Sequence, residues 1–158
     1  MTLLLALAAI LATLLLTVDV ALGWGASQGW VSTPTHINLS FVAAIAVLFS
    51  QAMLLFYLMG SARRVRQVAR EKKLAPELTA DLPPARTVLP VAGMTLLTVM
   101  AAFVLGGGAH TGTVPPWVHG WLAVGAVILQ GWSTGQELRA LGLLEQTIGK
   151  VEEILPHD

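Results

Sequence analysis

Apolar residues run along this chain in long, nearly unbroken stretches. They lack both the period of two of a half-buried strand and the broken stripe of a surface helix. Four stretches approach the roughly 20 mostly apolar residues that cross a bilayer as a helix. They extend from about Thr2 to Gly23, Ile37 to Met59, Val88 to Leu105 and Trp117 to Gly135. The first carries one ionisable residue, Asp19, and the last is the most polar, with Gln130, Ser133 and Thr134. The pattern predicts an all-α integral membrane protein, a four-transmembrane-helix bundle. The first run is long and has no Lys or Arg before it, which favours a retained helix over a cleaved signal segment.

Outside these stretches the pattern changes. Ser61 to about Lys73 continues the second helix in polar form, until Ala75-Pro76 and Pro83-Pro84 break it. From about Glu137, the residues Leu141, Leu144, Ile148, Val151 and Leu155 follow 3-4-3-4 spacing, the mark of an amphipathic helix. The expected organisation is a transmembrane domain over 1–135, with hairpins at about 1–60 and 87–135 and a loop over 61–86. A cytoplasmic amphipathic C-terminal helix follows over 136–158. Its apolar seam suits the membrane surface, the middle loop, a second copy of the chain or another membrane subunit.

The outer half of the chain matches itself without a gap at an offset of 83. Leu22, Gly23, Gly25, Ala26 and Gly29 meet Leu105, Gly106, Gly108, Ala109 and Gly112; Val31, His36, Leu39, Ala43 and Ile45 meet Val114, His119, Leu122, Ala126 and Ile128. That makes ten identities over positions 22 to 45. Leu and Ala matches come easily in an apolar chain, but Gly and His matches do not. The reading is two duplicated helical hairpins running in parallel, related by an axis along the membrane normal.

Charge adds orientation. All nine Lys and Arg residues lie between the second and third stretches or after the fourth. The positive-inside bias then puts the middle loop and both termini in the cytoplasm of a bacterial inner membrane, with Trp24, Trp30, Trp117 and Trp121 at the opposite interface. The middle-loop charges read first as topogenic, against anionic headgroups, and second as a surface for a soluble partner. A formal net charge of zero argues against nucleic acid as a partner. The absence of Cys excludes thiolate metal sites, iron–sulfur clusters and Cys nucleophiles. No Walker loop, dinucleotide fingerprint, HExxH or GxSxG is present, so a hydrolase or nucleotide-driven pump is not expected.

The candidate chemistry is therefore imidazole and carboxylate. His36 and His119 open the second and fourth helices at equivalent positions, His110 lies in the second outer loop, and Asp19 sits about a turn below the outer end of the first helix. His157, at the chain end, carries no expectation. Two neutral imidazoles on facing helices suit the axial positions of haem b or another tetrapyrrole, with Trp117 and Trp121 lining a flat apolar pocket. His36, His119, His110 and Asp19 together suit a metal such as Zn, and the same pocket would suit a quinone ring. The plainer reading is that His and Trp at headgroup level serve packing and anchoring alone. Gln51 and Gln130 read as interhelical hydrogen-bonding residues, and no ionisable residue is expected in the inner half of the membrane. The first functional expectation is a small non-catalytic accessory subunit of a larger membrane complex, such as one of an electron-transfer chain. The alternatives are an electron-transfer protein holding haem b between His36 and His119, and a metal or quinone site at the outer face.

Overall fold

A computed structural model describes residues 1–80, 82 and 85–155, with backbone alone at 85 and 86. Pro83-Pro84 and His157 lie outside the described residues. Four long helices, α1 (Thr2–Ser27), α2 (Thr33–Glu71), α3 (Ala85–His110) and α4 (Pro116–Ile154), are joined by two short turns and a longer connection that holds the 3-10 turn Pro76–Thr79. α1, α2 and α3 are long and apolar enough to cross a membrane. α4 matches α2 in length, at 39 residues each, but its apolar stretch is interrupted by polar side chains. At 1.5 Å per residue, 39 residues span about 58 Å, roughly twice a bilayer's hydrocarbon core.

The turns follow from local chemistry. Gly29 ends α1 with φ +77° and Gly112 ends α3 with φ +76°, a left-handed conformation that glycine adopts without strain. The amide of Trp30 then donates to the Gly25 carbonyl at 2.9 Å, and that of Thr113 to the Gly108 carbonyl at 2.9 Å. Ser32 caps α2 by accepting from the Thr35 amide at 3.3 Å. α2 ends at Glu71 ahead of Lys73 in the left-handed region, as the polar extension and its break predict. Every helix boundary recurs 83 residues later: Thr2 and Ala85, Ser27 and His110, Thr33 and Pro116, Glu71 and Ile154.

α1 packs on α2 and α3 on α4; α2 and α4 also touch across the middle, whereas among the described residues α1 and α3 do not meet. Small residues make the central approach possible: Ala43 and Val47 on α2 and Ala126 on α4 are buried to within 1%. Burial is inside-out relative to a water-soluble bundle. Gln51, Gln130 and Glu137 are fully enclosed, while Leu3, Leu4, Phe56 and Leu97 are more than two-thirds exposed. An apolar exterior around a polar centre is what a lipid solvent requires.

The expected separate C-terminal helix does not form. α4 runs unbroken from Pro116 to Ile154. Leu141, Leu144 and Val151, read as an open seam, are buried, and Leu141 and Leu144 share a core with Leu5, Leu54, Leu58 and Val88. Ile148 packs against that core, and only Leu155 falls beyond the helix. The chain's own helices occupy most of the seam expected to bind a partner. Thr2 Oγ1 donates to Glu145 Oε1 at 2.9 Å, tying the start of α1 to this part of α4.

Candidate functional site

His36 lies one turn into α2 and His119 one turn into α4, at the end of the bundle that carries the two short turns. Their rings meet across the centre, with centroids 6.4 Å apart and planes inclined by 51°. Each ring rests in a notch made by glycine on the preceding helix. A Cβ built on Gly23 would stand 2.8 Å from His36 Cε1, and one on Gly106 would stand 3.0 Å from His119 Cε1. The glycines shared by the two halves are thus explained by close approach of an imidazole edge to α1 and to α3.

The two rings are anchored through the same atom by different partners. His119 Nδ1 lies 3.0 Å from the carbonyl oxygen of Ala102. That oxygen can only accept, so Nδ1 carries a proton and Nε2 is the nitrogen left to face a ligand. His36 Nδ1 lies 3.0 Å from Asp19 Oδ1, a residue 83 positions before Ala102. The contact is off the N–H axis, a charge-to-dipole approach rather than an aligned hydrogen bond. Ser40 Oγ donates to the same carboxylate oxygen at 2.7 Å. With side chains only 16% and 11% exposed, His36 and Asp19 meet largely out of water, where a fixed orientation is worth most.

The geometry sorts the expected site residues. His36, His119 and Asp19 come together. His110 stands exposed at the end of α3, and among the described residues no group of three or more His, Asp or Glu side chains is placed to hold a metal ion. Trp117 and Trp121 do not line a pocket around the rings: they are 68% and 72% exposed. Each is two residues from His119, which on a helix turns it to the far side. Trp24 and Trp30 are likewise exposed. All four suit the interface between lipid and water.

A second polar cluster lies deeper in the bundle. Gln51 Nε2 donates to Gln130 Oε1 at 3.3 Å. Gln130 Nε2 donates to Thr134 Oγ1 at 3.2 Å and to Thr13 Oγ1 at 3.3 Å. Ser133 Oγ donates to Glu137 Oε1 at 2.8 Å. Glu137 is fully buried, and Glu137 Oε2 and Gln51 Oε1 have no hydrogen-bond partner. The sequence pattern puts Glu137 at the start of the cytoplasmic amphipathic tail and predicts no ionisable group at this depth. The signal that could have found it is the spacing 130-133-137-141-144, one continuous helix face.

Comparison of the chain with family models, curated proteins and solved structures finds no match.

Proposed function

We propose that this chain is a membrane electron-transfer protein in which His36 and His119 would hold one haem b at the short-turn end of a four-span bundle. The observation that carries the reading is the imidazole pair, 6.4 Å between ring centres, with each Nδ1 3.0 Å from an oxygen. An ion bound at about 2.0–2.1 Å by Nε2 of two opposed imidazoles holds their ring centres roughly 6 Å apart. Ligating histidines are also typically fixed through the other ring nitrogen by a carboxylate or a backbone carbonyl; here His119 has the carbonyl as hydrogen-bond partner and His36 has a carboxylate beside it. When bound, haem supplies the one-electron couple; the protein sets ligand orientation and the local charge, with Asp19 on one side alone.

Duplication of an ancestral hairpin supports this reading and the fourth span with it. The shared helix boundaries argue for it, and so does burial: Leu5, Ala9, Leu16, Ala43, Ser50 and Leu58 are buried, as are Val88, Ala92, Val99, Ala126, Ser133 and Leu141, each 83 positions on. Under this equivalence α4 crosses the membrane as α2 does, Glu137 takes the place of Leu54, and the helix beyond it repeats the α2 extension. The charge bias then sets both termini and the middle loop in the cytoplasm.

The test is the composition of the full chain purified in mild detergent from haem-replete cells. One haem b and one iron per chain are expected, with both lost in His36→Ala or His119→Ala variants that still fold. Stoichiometric copper or zinc without haem would transfer the pair to a bare metal ion. A folded protein with neither would leave the accessory-subunit reading, which now rests on the exposed apolar exterior alone.

A further inference from the structure

At the opposite end from the histidines, α2 and α3 frame a groove of about 230 Å³. Its floor and walls are apolar, formed by Leu55, Leu58, Met59, Val88 and Leu89, and its rim carries Arg63 and Arg66. Arg66 also lines a second hollow of about 560 Å³, in which Arg70 and Lys73 stand beside Pro76 and Thr79 of the 3-10 turn. Arg63, Arg66 and Arg70 follow at helical spacing along one side of α2, and Lys73 lies just beyond the helix end. Among the described residues none forms an ion pair with a carboxylate. The nearby Glu71 is engaged by Gln67 Nε2 at 2.8 Å, and Arg70 Nε donates to the Arg66 carbonyl at 3.2 Å.

We infer that these adjoining hollows form a binding site for one anionic phospholipid, with an acyl chain along the apolar groove and the headgroup phosphate among Arg63, Arg66 and Arg70. A general attraction of basic loops to membranes needs no groove and would use Arg64 as readily; Arg64 lines neither hollow. Free phosphate would match the arginines but leave the apolar wall uncovered. A lipid with both parts fits both surfaces, and the arginine fork suits phosphate oxygens.

The test compares native mass spectra and thermal unfolding of the full chain in neutral detergent with added phosphatidylglycerol, phosphatidylcholine or inorganic phosphate. Phosphatidylglycerol alone is expected to remain bound and to raise Tm. Its affinity should fall roughly fivefold in Arg63→Gln and again in Arg66→Gln, and remain unchanged in Arg64→Gln. Arg66→Lys separates charge from fork geometry and should lose less than Arg66→Gln. Equal binding of both lipids, stabilisation by phosphate alone, or an equal loss in Arg64→Gln would each overturn the site. Circular dichroism of each variant excludes unfolding as the cause of a lost signal.

Discussion

The two histidines were legible one residue at a time because Gly and His matches are rare in an apolar chain. The Trp117 and Trp121 assignment failed because it used residue type without helix phase. The glycine notches make a sharp prediction. Gly23→Ala drives a Cβ to 2.8 Å from His36 Cε1 and 3.1 Å from Nε2, so the ring must move. It should lower stability by about 1–3 kcal/mol in thermal unfolding. Gly60→Ala, with nothing within 4 Å of its Cβ, should instead gain up to about 1 kcal/mol from helix propensity. Equal effects at the two positions would remove the notch as the reason for the glycine. Asp19→Asn keeps the shape but loses the charge that orients His36. Loss of such a supporting partner should weaken ligand binding by about 10–100-fold, read by competition with a haem-binding acceptor protein. It should also raise the reduction potential, because a neutral neighbour stabilises the more positive iron state less.

At the scale of helices, boundaries and lengths were readable from apolar runs, turn glycines and prolines. The inner part of α4 was not, because its composition turns polar while its buried face continues. Gln130, Ser133 and Glu137 fill the centre where α2 has Val47, Ser50 and Leu54, all of them buried. An amphipathic period reports that one face is covered, without saying by what. Here the cover is the chain itself, so the tail read as a docking element is part of the bundle. Glu137→Gln retains an acceptor for Ser133 and should change stability by less than about 0.5 kcal/mol, whereas Glu137→Ala leaves the buried Ser133 hydroxyl without its acceptor and should cost about 1–2 kcal/mol. The α2–α4 crossing tests differently. Ala43→Leu and Ala126→Leu, at 0% and 1% exposure, should each destabilise by about 1–3 kcal/mol through overpacking. A large effect at one and none at the other would contradict a crossing built alike from both helices.

For the whole molecule, three helices are long and apolar enough to cross a membrane, and the proposal of a fourth crossing by α4, with both termini on one side, is open to a direct test. The chain contains no Cys, so single cysteines can be read without background. Ser27→Cys and Thr113→Cys should react with an impermeant thiol reagent on intact cells, and Lys72→Cys and Glu152→Cys only after permeabilisation. Reaction of Glu152→Cys on intact cells, with Ser27→Cys also reactive, would mean that α4 does not cross. The pairing of the two imidazoles at the centre remains the claim on which function depends, and a visible absorption spectrum tests it most directly. Dithionite-reduced minus oxidised spectra of the full chain should show the sharp bands of a six-coordinate b-type haem. His36→Ala and His119→Ala should each abolish that signature while far-ultraviolet circular dichroism stays unchanged. A wild-type protein that is folded, supplied with haem and featureless in the visible would contradict the account, as would a signature that survives in both variants.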